Sequence, residues 1–103
     1  MCGIVGIYHK KKDVSGDIYD ALIQLQHRGQ DAAGISTWNK SKMDLYKELG
    51  LVTEVFKQTD SLNLDGNIGI GHVRYPTAGR DNASEAQPFH TSNPVNILSL
   101  IHI

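Results

Sequence analysis

The chain has 103 residues, a length that suits one small domain with a modest hydrophobic core. Ten basic and eleven acidic residues give a net charge of −1, which argues against nucleic-acid and membrane-surface partners because both attract a basic patch. A single cysteine excludes an internal disulfide, and the sequence has neither a transmembrane-length apolar run nor a secretory leader, so we expect a cytoplasmic protein.

The predicted elements begin with a buried strand over residues 2–8, where three β-branched residues favour extended structure. A charged turn leads to a helix predicted over residues 17–28, because its apolar residues recur at the spacing of one helical face. Asp17 is the expected cap of the first turn, and Gly29 is the expected stop after the last one.

Two strands are predicted next, over residues 33–38 and 43–49. The polar turn between them indicates a hairpin. A short helical stretch is then predicted over residues 51–56, after the break that Gly50 introduces.

A fourth strand is predicted over residues 68–75, with Ile68, Ile70 and Val73 as its packing residues and two glycines that thin one face. Residues 76–92 have little periodicity and predict a long irregular loop. A final apolar strand is predicted over residues 95–103. Strands that alternate with hairpins and few helices indicate an α+β domain with largely antiparallel sheets.

Cys2 is the only cysteine and directly follows the initiator methionine, which is normally removed before a small side chain. The mature chain would then begin with a residue that carries both a thiol and a free α-amine. An α-amine titrates at about 7.7–8.0, close to the ~8.5 of a thiol, so it can act as a base for the thiol of its own residue. A nucleophile is one reading of Cys2, and a small buried hydrophobic side chain is the other.

A second chemically loaded stretch ends the fourth predicted strand, where Arg74 precedes a loop that carries the hydroxyl of Thr77. The planar guanidinium fork of arginine suits a carboxylate. A thiol nucleophile with a carboxylate clamp is what an amino-acid substrate with a reactive side chain needs. The alternative role for Arg74 is a surface salt bridge.

Two further kinds of chemistry are less favoured by the sequence. Strand alternation places His72 on the face opposite Val73, and we expect a core histidine with its hydrogen bonds satisfied. Cys2 and the five histidines could supply metal ligands, but no pair has the short spacing of a structural zinc site, so no metal site is predicted.

Four stretches form a set: residues 1–7 (MCGIVGI), 25–35 (LQHRGQDAAGI), 71–79 (GHVRYPTAG) and 84–89 (SEAQPF). With these motifs in this order, the chain resembles, over about residues 1–97, the N-terminal glutaminase domain of the amidophosphoribosyltransferase family. The first stretch is common to class II glutamine amidotransferases, which are N-terminal-nucleophile (Ntn) hydrolases. The second and third differ from the corresponding stretches of the sugar-phosphate aminotransferases.

The resemblance implies an αββα sandwich of two antiparallel sheets, of which this chain supplies an N-terminal part. It also implies that Cys2 attacks glutamine and releases ammonia, which a second domain adds to phosphoribosyl pyrophosphate to form phosphoribosylamine, the first step of purine biosynthesis. By match to the motifs, Arg74 would hold the glutamine α-carboxylate, with Thr77 beside it, and Arg28 would lie near the nucleophile. No cofactor is implied for this segment. Magnesium would belong to the phosphoribosyltransferase domain, and the parent protein would be a homo-oligomer.

The resemblance ends abruptly near the end of the chain. The family continues into a His-Asn-Gly stretch that forms an oxyanion hole, whereas residues 98–103 read LSLIHI and are interpreted as a non-native tail. We therefore expect a fragment of a type 2 amidotransferase domain that lacks the phosphoribosyltransferase domain and has weak glutaminase activity or none. The alternatives are a non-catalytic glutamine-binding module and the glutaminase domain of another class II enzyme, such as glucosamine-6-phosphate synthase.

Overall fold

The computed structural model describes residues 2–39, 42–56, 64–75, 86–91 and 97–99. These residues form strands, two α-helices and one 3₁₀ turn that follows the first helix directly. In chain order the elements are β1 (Gly3–Tyr8), α1 (Ser15–Leu25), the 3₁₀ turn (Gln26–Arg28), β2 (Ala32–Trp38), β3 (Met43–Leu49), α2 (Val52–Val55), β4 (Ile68–Arg74), β5 (Phe89–Thr91) and β6 (Ile97–Ser99).

The main sheet has four strands in the order β1-β4-β2-β3, and every neighbouring pair is antiparallel. β2 and β3 form the predicted hairpin, which is confirmed with Trp38 opposite Met43 next to the turn. β5 and β6 pair antiparallel in a separate two-stranded sheet. The predicted α+β class with antiparallel sheets is therefore confirmed.

Helix α1 packs on one face of the main sheet, over the two glycines of β4. A Cβ atom at Gly71 would lie 2.6 Å from Cγ2 of Ile18, and one at Gly69 would lie 2.7 Å from Cδ1 of the same side chain. The glycines thus form a trough into which the buried helix residues fit. Of the predicted packing residues of β4, Val73 is buried in the core, so the prediction is confirmed for it. Ile68 and Ile70 lie on the opposite face by strand alternation, so the prediction is wrong for them.

The start of α1 differs from the prediction, whereas the 3₁₀ turn that continues it ends at Arg28 before Gly29, the predicted stop. The helix begins at Ser15, and its N-cap is Val14 without a side-chain cap, so the predicted cap at Asp17 is wrong. The backbone N–H of Val14 instead donates to the carbonyl of Gly66 at 3.0 Å, so a tertiary contact fixes where the helix begins. No helix in the described ranges is both long and apolar enough to cross a membrane.

On the sheet face away from α1, the segment that leads into β5 is seated over Gly34. A Cβ atom at Gly34 would overlap the carbonyl oxygen of Gln87 and lie 2.9 Å from Cδ of Pro88. The ammonium of Lys47 donates to the carbonyl of Pro88 at 3.3 Å. β5 lies inside the stretch 76–92 that was predicted to be irregular, so that prediction is wrong for Phe89–Thr91.

Other parts of the same face are exposed, including Tyr8 at 64% and Ile4 at 51%. Residues 76–85 of the predicted loop lie outside the described residues. Of the final strand predicted over residues 95–103, the structure describes only β6, at residues 97–99. Residues 100–103 of the proposed tail lie outside the described residues.

Replacement of Gly71 by alanine is expected to destabilise the protein by about 1–3 kcal/mol, because the new methyl group overlaps the buried side chain of Ile18. Gly16→Ala is the matched control. Gly16 lies in α1 with nothing within 4 Å of the position that a Cβ atom would take, so alanine there is expected to be neutral or to stabilise by about 0.4–1 kcal/mol. Urea unfolding of both variants measures the difference. Equal stability of the two variants would contradict the packing of α1 on the glycine trough.

Candidate active site

The site lies where β1 begins and β4 ends. These strands pair with Gly3 opposite Val73, and extending that register by one residue places Cys2 opposite Arg74. Cys2 is a free cysteine of intermediate exposure, so its thiol is not packed deep in the apolar core. Cys2 thus stands at the edge of the sheet and opposite Arg74 in register, with the partial exposure that a nucleophile needs.

The turn between α1 and β2 joins these two strand ends. The Arg28 side chain donates from Nε to the carbonyl of Cys2 at 2.9 Å, and the backbone N–H of Asp31 donates to the carbonyl of Arg74 at 3.0 Å. Gly29 follows the 3₁₀ turn with extended backbone, at φ −162°. A Cβ atom there would lie 2.6 Å from the carbonyl carbon of Arg74, so Gly29 lets the turn lie directly against the end of β4.

Arg74 is paired with Asp31. Nη1 of the guanidinium lies 3.6 Å from Oδ2 of the carboxylate, and both side chains are only 12% exposed. The alternative of a surface salt bridge is therefore wrong as to exposure, since this pair is largely buried. A buried ion pair fixes the direction of a guanidinium much better than a solvated one, and loss of either partner leaves an uncompensated charge.

A cavity of about 410 Å³ opens beside this pair and is within the size range of small-molecule sites. Its lining among the described residues comprises His27, Gln30, Asp31 and Tyr75. Asp31 thus belongs both to the cavity wall and to the ion pair with Arg74. Thr77, the remaining residue predicted for the site, lies outside the described residues.

His72 lies on the same sheet face as Arg74 and is 1% exposed. The expectation of a buried histidine is therefore confirmed. The expectation that its hydrogen bonds are satisfied is wrong, because neither ring nitrogen has a hydrogen-bond partner among the described residues. Burial, and secondarily the charge of Arg74, lowers the pKa of His72 to about 4. The ring is therefore neutral at physiological pH.

The buried ring predicts an acid-sensitive fold. Because the pKa of His72 is about 4 in the folded chain and about 6.5 when unfolded, the unfolded state binds the extra proton between these values. The free energy of unfolding should be unaffected above pH 6.5 and should lose roughly 3 kcal/mol from this group as the pH falls to 4. Denaturant titrations at several pH values, compared between the parent chain and His72→Gln, measure this contribution. Equal pH slopes would contradict it.

Sequence reasoning did not assign a role to Asp31 or Gln26, although both lie in the stretch 25–35. The signal that could have found Asp31 is its charge. A buried arginine such as Arg74 needs an acidic partner, and Asp31 is the carboxylate in the stretch 25–35. In the described part of the chain, no group of three or more His, Cys, Asp or Glu side chains is placed to hold a metal ion. The described geometry places Cys2 and the paired Arg74 at the same end of the sheet.

Comparison with known proteins gives close relatives. The chain is 56% identical over 103 residues to the amidophosphoribosyltransferase of Pasteurella multocida, covering 99% of this chain and 20% of that protein. It is 56% identical over 98 residues to the enzyme of that name from Escherichia coli, covering 94% of this chain and 19% of that protein. The chain thus spans about one fifth of the length of these curated relatives. No family model matches it.

Two solved structures match the fold. One is described as the allosteric regulatory enzyme of purine biosynthesis, with a TM-score of 0.81 and 34% identity over 95% of this chain and 21% of that one. The other is the glutamine phosphoribosylpyrophosphate amidotransferase of B. subtilis in complex with ADP and GMP, with a TM-score of 0.77, the same identity and the same coverage. These likenesses confirm the Ntn-hydrolase fold that the motifs predicted.

Proposed function

The chain is a relative of the N-terminal part of the amidophosphoribosyltransferases, and on that premise we propose that it carries their glutaminase centre, with Cys2 as the nucleophile. The observation that carries the proposal is the register that brings Cys2 and Arg74 to the same end of the sheet. It joins a thiol, an α-amine exposed by removal of the initiator methionine, and a cation for a carboxylate.

The proposed reaction has two steps. The α-amine of Cys2 takes the thiol proton, directly or through one water, and the sulfur attacks the side-chain carbonyl carbon of glutamine. The carbon–nitrogen bond then breaks, the nitrogen takes the proton, and ammonia leaves a thioester. Water attacks the thioester carbon, which releases glutamate and restores the thiol.

The other site residues bind and order the substrate. Arg74 binds the α-carboxylate of glutamine, and its ion pair with Asp31 supports this role by holding the guanidinium in one direction. We place Thr77 beside the substrate carboxylate, and this assignment is based only on the motif at residues 71–79. Arg28 orders the start of the chain, and its 2.9 Å hydrogen bond to the Cys2 carbonyl supports that role.

The wider reaction is proposed from the relatives. Residues 1–103 form part of a type 2 amidotransferase domain, and ammonia passes to a phosphoribosyltransferase domain that converts phosphoribosyl pyrophosphate to phosphoribosylamine at the start of purine biosynthesis. Magnesium serves that domain. It has no set of ligands in the described residues of this chain, and no step here depends on it. We place the protein in the cytoplasm as a homo-oligomer.

The test is a diazoketone analogue of glutamine, which keeps the amino-acid end and replaces the carboxamide with an electrophilic carbon. Intact mass of the chain should show loss of Met1 and addition of one analogue less the N₂ that leaves on alkylation, and peptide mapping should place the adduct on Cys2. Iodoacetamide, which has no amino-acid end, is the control reagent for plain thiol reactivity. Glutamine binding by a chain that retains Met1 and takes up no analogue would instead indicate a non-catalytic glutamine-binding module.

A further inference from the structure

Gln26 makes two short side-chain hydrogen bonds at the end of helix α1. Its Nε2 donates to the carbonyl of Gly29 at 2.6 Å, and its Oε1 accepts from the backbone N–H of Val52 at 2.6 Å. Both ends of the carboxamide thus have backbone partners, and these partners belong to different elements. The side chain connects the turn after α1 to the start of α2.

The two partners require a donor and an acceptor on one side chain. The N–H of Val52 is one of the amide groups at a helix start that lack a partner within the helix. The carbonyl of Gly29 is directed at the same side chain from the other side. A carboxamide supplies both functions, whereas a carboxylate of the same size would turn an oxygen toward the Gly29 carbonyl and remove the donor.

The turn that Gln26 holds in place, between α1 and β2, contains the two residues that contact Cys2 and Arg74. Arg28 donates to the Cys2 carbonyl at 2.9 Å, and Asp31 pairs with Arg74 at 3.6 Å. The backbone N–H of Gly50 donates to the carbonyl of Asp31 at 2.8 Å, so the far end of the turn is also held by the chain that leads into α2. A shift of the turn therefore moves both Arg28, which contacts the backbone carbonyl of Cys2, and Asp31, which pairs with Arg74.

We propose that Gln26 is a positioning residue of the Cys2 centre, acting through the turn that holds Arg28 and Asp31. The proposal rests on the proposed function, because it concerns how that centre is aligned. Gln26 itself contacts backbone groups in the structure, and its effect on the chemistry is indirect. Displacements of about 1 Å at a reacting centre are enough to cost up to about 10²-fold in rate.

The experiment compares Gln26→Glu with Gln24→Glu in this chain. Gln24 is exposed on α1, so the control introduces the same charge two residues away without touching the hydrogen bonds of Gln26. The rate of Cys2 labelling by the diazoketone analogue of glutamine is expected to fall roughly 10-fold in Gln26→Glu and to stay within about twofold in Gln24→Glu. The rate with iodoacetamide should change little in either variant.

The ratio of the two labelling rates distinguishes positioning from folding. If Gln26→Glu slows both reagents equally, or slows neither, the positioning proposal is overturned. Gln26→Met keeps the length of the side chain without a charge and should give the same selective loss. It replaces Gln26→Glu in the comparison if circular dichroism shows that the glutamate variant is unfolded. If the parent chain itself reacts no faster with the analogue than with iodoacetamide, the proposed function fails, whatever Gln26 does.

Discussion

Replacement of Cys2 by alanine is expected to abolish labelling by the diazoketone analogue and any release of glutamate from glutamine, a loss on the order of 10³-fold or more. The sulfur is the only protein atom in the proposed mechanism that forms a covalent bond to the substrate. Cys2 lies at the edge of the sheet with intermediate exposure, so its replacement should leave the unfolding midpoint almost unchanged. Quantitative mass spectrometry of the labelled chain measures the effect.

A second variant separates the thiol from the amine. Insertion of one residue between Met1 and Cys2, chosen so that methionine is still removed, keeps the thiol but moves the free α-amine away from it. If the amine is the base, the rate of labelling should fall by about 10²-fold or more while iodoacetamide still reacts. Analogue labelling that persists in Cys2→Ala, or that is unchanged by the insertion, would contradict the assignment of nucleophile and base respectively.

The outline of the fold could be predicted from sequence because its strands and helices have clear periodicities. The hairpin of β2 and β3 follows from two alternating runs and a polar turn. Which face of β4 is buried could not be predicted in the same way. Large apolar residues predicted Ile68 and Ile70 as core, but α1 packs against the glycines, since a helix can approach a sheet closely where no side chains stand between them.

The site could be predicted in part. Cys2 and Arg74 stand out by their position and chemistry, and the strand register then brings them together. Asp31 and Gln26 could not be assigned roles, because Arg74, which pairs with Asp31, and Val52, whose N–H donates to Gln26, lie far away in the chain. Such contacts depend on the path of the turn, which is set by the close approach of Gly29 to the end of β4.

The second large effect is expected at Arg74. Alanine there would leave the carboxylate of Asp31 buried without its cation and would lower the free energy of unfolding by about 3–5 kcal/mol. A loss of labelling in that variant could then result from unfolding as well as from weaker substrate binding. Arg74→Lys keeps the charge opposite Asp31 but loses the planar fork that fits a carboxylate. We therefore expect a folded variant whose labelling by the diazoketone analogue is slower by roughly 10- to 100-fold, the value of a charged hydrogen bond.

The substrate end provides the control for this experiment. The methyl ester of the analogue has the same electrophile but no carboxylate, so Arg74 gives it no ionic contact. The parent chain should prefer the acid over the ester by roughly 10- to 100-fold, and Arg74→Lys should reduce that preference to about twofold. If the variant slows both compounds to the same extent, Arg74 acts through the fold and through Asp31, and the carboxylate-binding role is wrong. A preference that disappears in the variant assigns the guanidinium to the substrate carboxylate, because no other difference between the two compounds reaches that group.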